Sequence, residues 1–220
     1  MNLEAVRARI ARAALRAGRD PSSIAIVAVT KGHPVEVARE AVAAGLADLG
    51  ENRVQEAEAK MSAWPDAPVR WHLIGHLQRN KARHAVGRFA LIHSLDSPRL
   101  ADALEREAAS SGLVQDVLVQ VNVAREPHKS GALPEQVEAL LRDVARRPHL
   151  NLRGLMTMAP FTDDVAIQRA AFRGLRELRD AYRAGIGELS MGMSGDFEIA
   201  IEEGATMLRL GTVLFGERQV

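Results

Sequence analysis

Short apolar runs rich in Val, Ile and Leu alternate along this chain with longer stretches in which apolar residues recur at helical spacing. Unbroken or alternating apolar runs mark strands, and a period near 3.6 marks amphipathic helices. Strands are expected near residues 24–30, 46–49, 69–74, 90–94, 116–122, 152–157, 187–190 and 206–210. Helices are expected near 34–44, 51–62, 78–86, 98–111, 134–146, 164–184 and 195–203. The opening MNLEAVRARIARAALRAGRD reads as a further amphipathic helix that ends near Gly18. Eight strands in strict alternation with helices predict an α/β protein with a parallel sheet, closed as a single (β/α)8 TIM-type barrel with an extra N-terminal helix. Such barrels usually take about 250 residues, so 220 residues imply short loops. An open Rossmann-type sheet is the rival, and it is weakened because IAIVAVTKGHP stands where a G-x-G-x-x-G should follow the first strand. With no linker or low-complexity tract, residues 1–220 read as one domain.

Composition narrows the function classes. At 47% hydrophobic and 26% charged residues the chain can bury a core. A net charge of +1 offers no field for nucleic acid or an anionic membrane. No run approaches the roughly 18 apolar residues of a membrane span, and arginines interrupt the N-terminal segment where a signal peptide needs a continuous apolar core. The absence of cysteine removes disulfides and thiolate chemistry and leaves the cytoplasm as the expected compartment. Without Cys, H-x-H or H-E-x-x-H, no metal site is expected. Only four of the 29 cationic residues are lysines, at 31, 60, 81 and 129. Arginine cannot form an imine, so the positions that remain lysine are enriched for chemistry of that kind.

In a barrel the loops at the C-terminal strand ends build the active face, so the residues closing each apolar run carry the candidate chemistry. Lys31 closes IAIVAVT. An ammonium at the mouth of a buried strand loses hydration, its pKa falls, and the neutral amine can attack an aldehyde or ketone. Taken alone, snorkelling to solvent accounts for Lys31 equally well. The remaining closing segments are 50–53, 72–76 followed by 78–81, 93–96, Asn122 with the EPHKSG loop that holds Lys129, and 156–158. Farther on, the small-residue loop SMGMSGD runs directly into DFEIAIEEG, where backbone N–H groups and the Ser194 hydroxyl suit a phosphate. Arg209, Gly211 and Thr212 close the last strand, and a phosphate site shared by the loops after strands seven and eight recurs in this architecture.

Plainer readings stand beside these. A Gly/Ser loop before a helix is often a turn with an N-cap. Histidines at strand ends are usually satisfied core or rim residues, the methionines at 156, 158, 191 and 193 read as core filling, and Asp48 and Glu51 read as solvated rim charge. An amine and a phosphate cradle on one rim together point to an aldehyde that carries a phosphate. That is either pyridoxal 5′-phosphate or, for a class I aldolase, a sugar phosphate.

The segments AVTKGHP, GENRVQE, WHLIGHLQRNK, IHSLDS, HKSG, RGLMTM and LSMGMSGDFEIAIEEGATMLRLGTVLFGER cover nearly the whole chain. On them the chain resembles the pyridoxal phosphate homeostasis proteins, a family related to the N-terminal barrel of bacterial alanine racemases. The resemblance implies that Lys31 carries the cofactor as an internal aldimine, that Asn52 and His72 border its ring, and that Ser194, Gly211 and Thr212 hold its phosphate. It implies that Arg209 faces the pyridine nitrogen, and Lys129 matches a second family lysine close to the site. Gly195 stands where relatives often carry an acidic residue.

A racemase needs a base on each face of the α-carbon, and in alanine racemase the second is a tyrosine completed by another domain and subunit. The only tyrosine here, Tyr182, falls on a long amphipathic helix, and the sequence closes directly after strand eight. The expectation is therefore a reversible pyridoxal phosphate carrier or buffer in intracellular cofactor homeostasis, without turnover of its own. Pyridoxal-phosphate-dependent apoenzymes are candidate partners, and a monomer is expected. The alternatives are a weak amino-acid racemase and a Schiff-base aldolase.

Overall fold

The structure, a computed structural model, describes residues 1–182 and 185–217. Eight parallel strands close into a barrel in sequence order. They are β1 (Ala25–Val29), β2 (Asp48–Glu51), β3 (Arg70–Leu73), β4 (Leu91–Leu95), β5 (Gln115–Gln120), β6 (Leu150–Met156), β7 (Glu188–Ser190) and β8 (Met207–Leu210). The barrel closes where β1 pairs with β8, with Ala28 opposite Leu210. Around it run α1 (Leu3–Arg16), α2 (Val35–Ala43), α3 (Val54–Ala63), α4 (Ala82–Ala85), α5 (Pro98–Ser110), α6 (Pro134–Ala145), α7 (Val165–Tyr182), α8 (Phe197–Glu202) and α9 (Thr212–Phe215). The closed (β/α)8 barrel and the leading helix are as the periodicity predicts. Among the described residues no helix is long and apolar enough to cross a membrane.

Strand alternation sorts the core into two layers. Ile92, Val117, Val119, Leu155, Leu208 and Leu210 belong to the large cluster that packs the strands against the helices. Leu91, Leu118 and Met156 form a separate cluster with Met158 and Met207 inside the barrel. His93, which shares a strand face with Leu91, and Arg209, which shares one with Met207, therefore also point inward. Leu3, Val6, Ile10, Ala13 and Ala14 bury one stripe of α1. Arg9 then caps the Phe197 ring at 4.5 Å and bonds Glu198, which ties this helix to α8. Much of the arginine excess serves such ties: Arg169, Arg173 and Arg176 of α7 all converge on the buried Glu203 after α8.

Several boundaries move. The second strand begins at Asp48 rather than at residue 46 because Leu46 belongs to the cap of α2. Gly45 sits at φ 86°, its N–H reaches the Val42 carbonyl at 2.9 Å, and Leu46 N–H reaches the Ala41 carbonyl at 3.0 Å. This is a Schellman motif, whose apolar residue after the glycine packs back on the helix. Glu51 accordingly lies in β2, and α3 starts three residues later than expected. The expected helix at 78–86 divides into a 3-10 turn at 79–81 and α4, with Lys81 N–H on the Gln78 carbonyl. The expected helix at 195–203 shortens to α8, and α9, which the pattern did not predict, follows β8 at once. Residues 183–184 of the expected seventh helix lie outside the described residues.

Candidate functional site

Lys31 lies two residues past β1 and is half-buried. Its turn is clamped from below. The Thr30 hydroxyl donates to Glu51 Oε1 at 2.6 Å, Lys60 Nζ donates to the Thr30 carbonyl at 2.6 Å and to the same Glu51 oxygen at 2.5 Å, and Gly32 N–H donates to Glu56. Glu51 and Lys60 are both buried, so the solvated-rim reading of Glu51 is wrong: β2 extends through it and presents it to α3 rather than to solvent. Burial pushes the Glu51 carboxyl above its ordinary pKa, and the bonds from Lys60 and Thr30 oppose that rise. The buried lysine is thus Lys60, engaged in a structural pair, whereas Lys31 stands in the partly open turn the pair supports. The signal was readable: Val54, Ala57 and Lys60 share the buried stripe of α3 at three-residue spacing.

The cradle expected at the far end of the chain is next to that turn. Gly211, just past β8, packs on β1 so closely that a Cβ there would lie 3.3 Å from the Val29 carbonyl oxygen. Ser194 Oγ accepts the Val213 N–H at 3.2 Å, which joins the loop after β7 to the first turn of α9, where Gly211 and Thr212 stand. Gly192 bends the loop at φ 93°, and a side chain there would strike Ala200 and Phe197. Asp196 is turned back onto the Met193 N–H at 2.5 Å. Burial raises its pKa. Asn52 follows β2, the other neighbour of β1, and its carbonyl sits where any Cβ on residue 75 would be, 2.2 Å away.

Arg209 points into the barrel at 4% exposure. Nη1 donates to Ser190 Oγ at 2.8 Å and Nη2 to the Thr157 carbonyl at 2.8 Å. Desolvation pulls its pKa down to about 10, opposed by the Asp196 charge. From Ser190 a chain of side chains continues through the barrel. Ser190 Oγ lies 2.9 Å from His93 Nδ1, His93 Nε2 lies 2.9 Å from His72 Nδ1, and His72 Nε2 lies 3.0 Å from Asp48 Oδ1. Both histidines are buried and bonded through both ring nitrogens, so His72 has only its ring face or carbon edge for any ligand. Asp48 starts β2 at the N-terminal pole, largely buried rather than on a solvated rim. Desolvation acts against its charge, but bonds from His72 and Arg70 win and bring its pKa to about 2.

Lys129 lies on the loop between β5 and α6. Asn122 staples that loop, donating to the Glu126 carbonyl at 2.8 Å and accepting Glu126 N–H at 3.1 Å. The Lys129 ammonium pairs with Glu126 and reaches the Ala159 carbonyl at 3.3 Å. Tyr182 ends α7, which returns antiparallel to the strands, so it belongs to the pole away from Lys31. Met156 and Met191 are core residues as expected, but Met193 is 37% exposed in the loop after β7.

The fold and site together define a closed parallel (β/α)8 barrel with an inward cation, a polar loop pair and an amine-bearing turn at its C-terminal mouth. Residues 1–219 match the alanine racemase N-terminal domain family. The chain belongs to that family, within the branch of pyridoxal phosphate homeostasis proteins. It is 45% identical to the pyridoxal phosphate homeostasis protein of Aquifex aeolicus, covering 99% of this chain and 97% of that one. It is 46% identical to the protein of that name from Pseudomonas aeruginosa, covering 99% and 94%. The solved structure of PipY from Synechococcus elongatus with PLP bound superposes with a TM-score of 0.84 at 40% identity, covering 96% of this chain and all of that one.

Proposed function

We propose that this protein binds pyridoxal 5′-phosphate reversibly through Lys31 and acts in intracellular cofactor homeostasis as a holder and buffer. The observation that carries the reading is adjacency: Lys31 follows β1, Gly211 and Thr212 follow β8, and Gly211 rests on Val29. An amine and a candidate phosphate cradle therefore share two neighbouring strand ends. The donor set fits the group. Ser194 and Thr212 offer hydroxyls, the loop's carboxylate Asp196 is turned back onto its own backbone, and Arg209 supplies a fixed cation beneath. When bound, the cofactor supplies an aldehyde that condenses reversibly with a primary amine.

On this reading Ser194, Gly211 and Thr212 hold the phosphate, Arg209 faces the pyridine nitrogen, Asn52 and the His72 ring flank the cofactor, and Lys129 stands by as a second amine. Purified protein incubated with pyridoxal phosphate should gain a visible absorption band that borohydride abolishes and that Lys31→Ala never develops. A protein that gains no band refutes the proposal. Incubation with L-alanine and other amino acids followed by chiral analysis separates a holder from a weak racemase. Reductive trapping with a sugar phosphate in place of pyridoxal phosphate tests the aldolase.

A further inference from the structure

The hydrogen bonds inside the barrel admit a consistent direction, and that direction has a consequence at Arg209. Asp48 is ionised and only accepts, so His72 must carry a proton on Nε2. With that single proton on His72, Nδ1 is bare and His93 must donate to it from Nε2. His93 is held neutral by burial first, and then by the Arg209 charge, so its Nδ1 is bare and accepts the Ser190 hydroxyl proton. Ser190 Oγ has thereby spent its own proton and is left as a pure acceptor for Arg209 Nη1. Every proton in the chain points from the mouth toward Asp48. At its far end Asp48 borders a cavity of about 520 Å³ at the N-terminal pole, lined also by Arg7, Ser22, Ile26 and Arg70.

We infer that Asp48, His72, His93 and Ser190 are positioning residues for Arg209: the Asp48 carboxylate fixes both histidine tautomers, and through them the acceptor that orients the guanidinium. The inference rests on the proposed reading only for its effect on cofactor. Without the Asp48 acceptor, His72 is free to carry its proton on Nδ1 and donate to His93 Nε2. The His93 proton then resides on Nδ1 and is donated to Ser190 Oγ. No proton is gained or lost, but Ser190 now accepts from two donors, and its bond to Arg209 weakens. The perturbation enters at one pole of the barrel and is read at the other.

The test has two parts. In cofactor-free protein with 15N-labelled histidine, nitrogen spectra at neutral pH should show His72 and His93 both protonated on Nε2. In Asp48→Leu the protonated and bare nitrogens of His93 should exchange, although residue 48 does not touch His93. A wild-type His93 protonated on Nδ1, or a His93 tautomer that ignores Asp48→Leu, overturns the inference whatever the protein binds. In protein loaded with pyridoxal phosphate, Asp48→Leu should displace the visible band, whereas Asp48→Leu in a Ser190→Ala background should add no further displacement. An equal displacement in both backgrounds shows that Asp48 acts by another route and refutes the link. If no band forms at all, the proposed function fails and the nitrogen spectra still decide the chain. Asp48→Asn, which keeps an acceptor oxygen, serves where the leucine variant does not fold and should preserve the wild-type tautomers.

Discussion

Lys60→Met tests whether the Lys31 turn rests on a buried ion pair. Lys60 and Glu51 have side chains 7% and 0% exposed and meet at 2.5 Å. Removing one partner of a buried pair strands the other charge and costs about 3–5 kcal/mol. For a chain of this size each kcal/mol lowers the midpoint by roughly 2–4 °C, so a loss of roughly 6–20 °C is expected. The sign of the pH dependence makes the test specific. A carboxyl whose folded pKa exceeds its unfolded value gives stability that is complete below the unfolded pKa and lost as pH rises through the folded one. Burial already pushes Glu51 above 4.5 with Lys60 present, and removing the cation pushes it further. The deficit of Lys60→Met should therefore shrink as the pH is lowered from 7 toward the ordinary carboxylate range. Urea denaturation at pH 7 and near pH 5 measures it, and Glu51→Gln with Lys60→Met should recover a large part of the loss. A single variant within about 1 kcal/mol of the parent at both pH values refutes the reasoning.

Asp48 is the opposite case. Its pKa falls from 3.8 to about 2, which by linkage gives about 2 kcal/mol present above the unfolded pKa and lost as pH falls through the folded one. Asp48→Asn should lower stability at neutral pH, with the difference from wild type vanishing near pH 2 in acid titrations; a constant difference across that range contradicts the assignment. Gly75→Ala places a methyl 2.2 Å from the Asn52 carbonyl oxygen, a backbone atom that cannot swing away. It should cost about 2 kcal/mol or more and disturb the 52–53 turn, and a neutral effect in denaturation would show that this approach is slack. Ser194→Ala removes the acceptor of Val213 N–H and should cost about 1 kcal/mol of stability. If Ser194 also holds phosphate, equilibrium dialysis should show cofactor retention falling roughly tenfold, about 1.4 kcal/mol. Retention unchanged from wild type restricts it to capping.

Strand count, parallel order and closure were legible because buried parallel strands need unbroken apolar runs and the helices between them need an amphipathic stripe. The ends of β2 were not, because Leu46 looks like strand while it serves the α2 cap. The strand-end pattern also groups Lys31, Ser194, Arg209, Gly211 and Thr212, since the C-terminal mouth collects whatever follows each run. It could not order them in depth. His72, His93 and Asp48 are as polar as the rim residues in sequence, yet they fill the barrel interior, where register and not residue type sets who meets whom: Gly50 lies opposite His72, and β3 and β4 are staggered so that His72 pairs with Leu91. The Lys60–Glu51 pair was missed for a related reason. Scarcity of lysine points to imine chemistry at every lysine, whereas a lysine on the buried stripe of a helix serves an ion pair instead.

The state of Arg209 bears directly on whether a bound cofactor is held or turned over. Even pulled down to about 10, its pKa leaves it a cation at neutral pH, and two of its N–H groups are committed to Ser190 and the Thr157 carbonyl. If Arg209 faces the pyridine nitrogen as proposed, a guanidinium so fixed would donate a hydrogen bond to it without handing over its proton, and the ring would be a weak electron sink. On that placement carbanion chemistry would gain little stabilisation from the ring, whereas retention of the cofactor would not depend on it. Tyr182, the last residue of α7, lies at the other pole of the barrel. If this reasoning holds, Arg209→Glu, which replaces the fixed donor with a group able to share a proton, should shift the bound cofactor's absorption and raise any trace of racemisation. A spectrum indifferent to the exchange would remove Arg209 from the ring and, with it, the electronic argument for a holder.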